Sequence, residues 1–238
     1  SYFGGQNEDY DVIKVNGDYS YSVEATDGNT DKWEEVWNYC QAGFKTNKQY
    51  FALEGKDSKG VPIIGAEIKV DIDNLIDYMI IIFYTGNFDS PVSKFGGDGK
   101  PNNYYALTKR DDKTKGFQFY AHDCEHSMLI DAVSPGIGIE ENRVELNNMR
   151  VNDFSGFHPQ WLHYKLSENA EYRLRFADRV QKHLFNNGAF TNDNCQKRFL
   201  SRAKEIEMAI IAESARWGDG TGGGIPKTKK TIGNPKLM

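Results

Sequence analysis

The sequence predicts an α+β fold, mainly helical, with a small β-hairpin or sheet, and three observations lead to it. The segment "NLIDYMIIIFYTG" is apolar on nearly all sides, the mark of a helix at the centre of a domain. The stretch 159–217 carries apolar residues at three- and four-residue spacing in successive runs. Clear strand signals gather at one place, Tyr104 to Leu107 and Gly116 to Tyr120, joined as a hairpin by the charged turn "TKRDDKTKG".

Taken in order, the first sixty residues are rich in Gly, Asn, Asp and Tyr, with turn signals at Asn16-Gly17, Asp27-Gly28 and Lys59-Gly60. Between them Thr30 to Tyr39 reads as a short helix, with Trp33, Val36 and Trp37 on one face. Tyr50 to Leu53 and Ile63 to Val70 fit short strands or loops equally well. The central helix starts at Asp71 or Asp73, either of which caps it by accepting a backbone hydrogen bond, and stops at Gly86. Residues 131–156 are irregular and Asn-rich. Three helices follow: Pro159 to Leu166, Ala170 to Phe185, and Asn192 to Trp217, the last with Thr191 placed to cap it. The domain is expected over 1–219, and 220–238, rich in Gly, Pro and Lys, reads as a loop or tail. Gly222 to Gly224 do not make a phosphate loop, because no strand precedes them and no helix follows.

Composition narrows the function. The chain has 238 residues, 39% hydrophobic and 26% charged, which is ordinary for a globular protein rather than a disordered one. A formal net charge of −5 argues against a general nucleic-acid binder, which needs a basic surface to displace counterions. No apolar run is long enough to span a bilayer; the densest is Met79 to Tyr84. Cys40, Cys124 and Cys195 match no zinc spacing and no disulfide framework, so they leave the redox compartment open.

The chemistry is concentrated in "TGNFDSP", "NNYYAL" and "FYAHDCEHSML". A buried helix ends, the chain turns through Gly86 and Asn87, and Asp89 emerges on the loop. Asn103 stands fourteen residues on, at the hairpin entrance. The second hairpin strand then delivers His122, Asp123, Glu125 and His126. Kinase-like folds use this order to set a base near the acceptor hydroxyl and oxygen ligands on magnesium, which takes carboxylates together with phosphate oxygens. Loop acids that simply face water are the plain alternative. A two-His, one-carboxylate metal site within "HDCEH" is the sharper one.

These segments resemble the core of the CotH family, named for a spore-coat protein and sharing a distant protein-kinase-like fold. "NAEYRLRFADRVQKHLFNNGAFT", "ESARWGD" and "YFGGQNEDYDVIK" are also similar to segments of it, so matching pieces run from residue 2 to residue 219. The resemblance implies an atypical kinase-like carboxyl-terminal lobe that uses ATP and magnesium. It implies Asp89 as catalytic acid–base residue and Asn103 and Asp123 as metal ligands, with Glu125 a further ligand. The partner it implies is a protein substrate or a surface or coat assembly, in a secreted, cell-surface or spore-coat setting. Two departures stand out. His122 replaces the family's usual Trp or other bulky residue, and the long Gly-rich loop from Pro91 to Asn102 leaves Asn102 and Asn103 competing for one role. The start at "SYFGG" resembles a point past the amino-terminal lobe whose Lys steadies the phosphates, and Lys14 stands too isolated to be nominated for that part. A non-catalytic module of the same fold, serving in surface assembly, is the rival reading.

Overall fold

The computed structural model describes residues 4–16, 21–95, 100–128, 142–145 and 152–217. The fold is α+β. In the first compact unit, residues 1–179, a four-stranded antiparallel sheet runs in the order β2-β1-β5-β6, built from β1 (Tyr10–Asn16), β2 (Ser22–Asp27), β5 (Tyr104–Lys109) and β6 (Gln118–Ala121). A second sheet is the short pair β3 (Val92–Ser93) and β4 (Lys100–Pro101). Helices α1 (Asp31–Ala42), α2 (Asn47–Ala52), α3 (Ile72–Thr85), α4 (Pro159–Leu166) and the first part of α5 (Ala170–Leu184) complete the unit.

One face of the sheet is the core. Ile13, Val15, Tyr104, Ala106 and Phe119 are buried, and the Trp33 ring of α1 lies 5.1 Å from Phe117, 5.7 Å from Phe119 and 4.4 Å from Phe157. Alternation along β5 leaves Tyr105, Leu107 and Lys109 half-buried on the other face. The hairpin expected at residues 104–120 is present, in register Tyr105↔Tyr120 and Leu107↔Gln118.

α3 begins where the sequence places it. Asp71 is the N-cap, accepting from Asn74 N at 3.0 Å, and Gly86 ends the helix in the left-handed region at φ 58°. Its buried positions include Leu75, Ile76, Tyr78, Met79, Ile80 and Ile82, while Asp73 and Asp77 form one polar stripe. That stripe meets α5. Arg175 Nε lies 2.6 Å from Asp73 Oδ1, and Arg179 lies 2.8 Å from Asp73 Oδ2 and pairs with Asp77. Arg175 also reaches Glu54 at 2.7 Å, and these pairs keep its guanidinium pKa above the ordinary value despite partial burial.

The structure corrects two readings and decides between the alternatives of a third. The opening residues, where the sequence gives turn signals and no strand, contain β1 and β2, with β1 paired to both β2 and β5. Arg110, just after β5, clamps this assembly by donating to Asp11 Oδ1 at 2.8 Å and to Tyr10 O at 2.6 Å. Tyr50 lies in a helix, α2, which opens with the capping box Thr46–Gln49. Ile63 to Val70 is a loop, with a single parallel bridge from Val70 to Phe117. The 220–238 tail and most of 131–156 lie outside the described residues.

In the second unit, from residue 180, a turn through Asn186 and Asn187, both at positive φ, leads to α6 (Asn192–Trp217). A Cβ at Gly188 would lie 2.3 Å from Lys182 O, so only glycine allows that turn. The Thr191 hydroxyl, just before α6, donates to Gly188 O at 3.0 Å.

Two histidines, the buried His158 and the half-buried His163, make the first unit acid-sensitive. Burial holds His158 down to about 3 and His163 down to about 4, against an ordinary 6.5. His158 is the N-cap of α4, and its Nδ1 accepts from Trp161 N at 3.1 Å, so the folded state needs it neutral. Below pH 6.5 the unfolded chain binds protons that the folded chain refuses, so stability falls with falling pH down to the folded-state values. Each histidine contributes a slope of about 1.4 kcal/mol per pH unit in that window. Asn is also a good N-cap, so His158→Asn is expected to keep α4 capped and to remove about one proton's worth of slope. Urea unfolding of both proteins between pH 4 and 7 measures this, and identical slopes would contradict it.

Candidate functional site

Backbone hydrogen bonds at two points bring the expected site segments together. At one end, Phe117 N donates to Lys69 O at 2.8 Å and Asp71 N to Phe117 O at 3.1 Å, so α3 and β6 set out from the same point. The Asn74 side chain then covers the free edge of β6, accepting from Phe119 N at 2.5 Å. At the other end, Met128 N donates to Thr85 O at 2.6 Å and Phe88 N to His126 O at 3.0 Å. The loop carrying Asp89 and the turn carrying Asp123 are therefore adjacent in their main chains.

Asp89 is held on both carboxylate oxygens. Asn103 Nδ2 donates to Oδ2 at 2.8 Å, and the Ser93 hydroxyl donates to Oδ1. Its backbone N–H donates to Asn87 Oδ1 at 2.9 Å. A carboxylate only accepts, so Asn103 must present its amide nitrogen to Asp89, and its Oδ1 remains for another partner. Asn103, not Asn102, makes this contact; Asn102 N instead donates to Pro91 O at 2.9 Å. Asn103 sits at φ 47°, a left-handed conformation that Asn tolerates better than most residues. Its carbonyl accepts from Ser90 Oγ at 2.8 Å, and Tyr78 OH lies 3.1 Å from that same hydroxyl. Ser90 has one proton, given to Asn103, so Tyr78 is the donor in the second bond. Burial pushes the Tyr78 phenol well above its ordinary range, which keeps it a donor.

Asp123 lies two residues past β6, exposed and at φ 50°. No hydrogen bond joins it to Asp89 or Asn103 among the described residues. Glu125 is exposed, and its carboxylate lies 3.3 Å from His126 Nε2. His126 packs edge-on against Phe95, and His122 edge-on against Tyr105. The "HDCEH" side chains thus turn to different neighbours. Among the described residues no three His, Cys, Asp or Glu side chains gather as a metal-binding group. Burial raises Cys124, which is therefore no ready thiolate. The three cysteines form no disulfide among the described residues.

Several residues here carry no signal in sequence. Ser93 is one. Arg143 is another: buried, it donates through Nη2 to Val92 O at 2.5 Å, and Gln160 Nε2 secures Arg143 O at 2.6 Å. Asn87 is fully buried, with its side chain against the Cys124 thiol. Lys14 becomes informative once β1 is known. The pairing of β1 with β5 runs as far as Ile13↔Ala106, and Lys14, the next residue of β1, alternates to the half-exposed face opposite the buried Ile13. There it pairs with Glu24 at 3.4 Å.

The α+β domain thus carries a paired Asp and Asn at the mouth of a hairpin and a further Asp at its exit. The family model described as CotH kinase protein matches residues 5–232, and the chain belongs to that family. Neither curated proteins nor solved structures provide a match.

The Asn103 backbone offers a test of this geometry. Asn103→Gly and Asn103→Ala both lose the bond to Asp89, but only glycine accepts φ 47° freely. The alanine variant is expected to be the less stable by about 1 kcal/mol in chemical denaturation. Equal stabilities would show that the backbone here relaxes out of the left-handed region.

Proposed function

We propose that this chain carries out metal-dependent transfer of a phosphoryl group from ATP to a protein hydroxyl, with the fold acting as an atypical kinase-like carboxyl-terminal lobe. The observation that supports this most directly is the two-point hold on Asp89 beside a hairpin whose exit bears Asp123. Asp89 orients the acceptor hydroxyl and takes its proton as the oxygen attacks the γ-phosphorus of ATP, whose bond to the bridging oxygen breaks to release ADP. Each of its oxygens keeps lone-pair capacity beyond the bond it already accepts.

The donor set fits magnesium. The amide orientation leaves Asn103 Oδ1 available, and Asp123 supplies an exposed carboxylate. Few protein oxygens, completed by phosphate and water, is the usual magnesium pattern. When bound, the ion would neutralise charge on the transferred group. Glu125, next to Asp123, is the weaker ligand because it already faces His126. The half-exposed sheet face beside the site, with Tyr105 and Tyr120 paired across strands, is where we place the nucleotide. Lys14 on that face is the cation for its phosphates, the role that the sequence leaves unassigned. The acceptor is a protein of a secreted or surface assembly, in keeping with the family. Among the described residues no helix is long and apolar enough to cross a membrane.

Three substitutions separate these roles. Asp123→Asn removes a full negative charge from the metal site, and Lys14→Ala removes the phosphate cation. Both are expected to weaken Mg-ATP binding in calorimetric titration. Asp89→Asn is expected to spare binding and reduce turnover by about 10²–10⁴-fold, the usual contribution of a positioned acid–base group. Unchanged ATP affinity and phosphate incorporation in all three would make the acids structural. ATP binding without transfer in the unmodified chain would favour the non-catalytic assembly module.

A further inference from the structure

We infer that Ser93 is a positioning residue for Asp89, an inference that rests on the catalytic reading of Asp89 given above. Ser93 is 1% exposed, so its hydroxyl is not an available phosphate acceptor. It has one proton to give and gives it to Asp89 Oδ1, while its oxygen accepts from Phe95 N at 3.1 Å. The bond from Phe95 N ties the serine to its own turn but leaves the buried hydroxyl proton in need of an acceptor. The additional bond crosses the loop to the carboxylate, and accepting from Phe95 restricts the directions left for the O–H.

The bracket around Ser93 is stiff for identifiable reasons. Val92 and Ser93 form β3 and pair with Pro101 and Lys100 of β4. Lys94 N donates to Phe88 O at 3.1 Å, closing the loop on itself. The buried Arg143 guanidinium holds Val92 O from outside at 2.5 Å. Asp89 is therefore gripped from two separate strands, by Ser93 on β3 and by Asn103 at the entrance to β5. One bond would leave the carboxylate free to swing about its Cβ–Cγ axis. Two bonds, one to each oxygen, fix its plane, and with it the direction from which an acceptor hydroxyl can approach. Misplacing a reacting group by about 1 Å costs up to about a hundredfold in rate.

The test compares Ser93→Ala, Ser93→Cys and Ser93→Thr with the unmodified chain and with Asp89→Asn. Turnover is read as phosphate transfer from ATP to casein as a generic hydroxyl acceptor, alongside Mg-ATP affinity by calorimetry and thermal melting. Ala lacks the donor, and Cys nearly keeps the volume but donates only weakly. Both are expected to lower kcat by about tenfold to a hundredfold, with Mg-ATP affinity and KM for ATP unchanged. Ser93→Thr keeps the hydroxyl and is expected to restore most of kcat even if its methyl group lowers the melting temperature. Wild-type kcat in Ser93→Ala beside a crippled Asp89→Asn would overturn the inference alone. Parallel losses of melting temperature, ATP affinity and kcat in Ala and Cys would overturn it too, by showing a structural role. Wild-type turnover in Asp89→Asn would instead bring down the catalytic reading, and the positioning role with it.

Discussion

The site depends on α3 and β6 being fastened to each other at both ends. They leave the same junction, at Asp71 and Phe117, and travel in the same direction. The 14-residue helix spans roughly 20 Å at 1.5 Å per residue. At the far end, bonds from Met128 N to Thr85 O and from Phe88 N to His126 O close the circuit. Asp89 follows the helix and Asp123 follows the strand, so this circuit sets the chain segments of both. The hydrophobic core makes it firm: α3 buries Leu75, Ile76, Met79 and Ile82, and β6 buries Phe119 against Trp33. Movement of either element would open apolar surface, at roughly 25 cal/mol for each Å² exposed.

How much of this was legible follows from the range of the interactions involved. α3 and the carboxyl-terminal helices could be read because their signals are local: Asp71 as cap, Gly86 as stop, apolar residues at helical spacing. The hairpin could be read because its two strands flank their own turn. β1 was hidden because its pairing with β5 links residues more than ninety positions apart, as in Val12↔Leu107, and local Asn and Gly residues look like turns. α2 was missed for a different reason. Its Thr46–Gln49 capping box is a readable signal, but six residues carry too little periodicity to advertise a helix.

The site divides along the same line. Asp89, Asn103 and Asp123 were accessible as residue types in a recognisable order. The bond that distinguishes Asn103 from Asn102 was not, since it depends on which residue turns left-handed at the hairpin entrance. Ser93 and Arg143 act through contacts made only after the chain has folded. Lys14 illustrates the cost of missing a strand, for a cation is uninformative until its neighbours across the sheet are known.

The partners of Asp89 also bear on what the carboxylate can do. Among the described residues its oxygens accept from Asn103 and Ser93, both neutral donors. The nearby Arg143 instead spends Nη2 on the backbone carbonyls of Val92 and Ser90. Contrast the outer stripe of α3, where Asp73 and Asp77 are paired directly with Arg175 and Arg179. A guanidinium on a carboxylate binds it strongly and offsets its charge, which suits a structural tie. Neutral donors fix direction while leaving the negative charge uncompensated. On the catalytic reading proposed for Asp89, that second arrangement is the one required: an acid–base group needs its orientation set and its charge available to draw a proton from the acceptor.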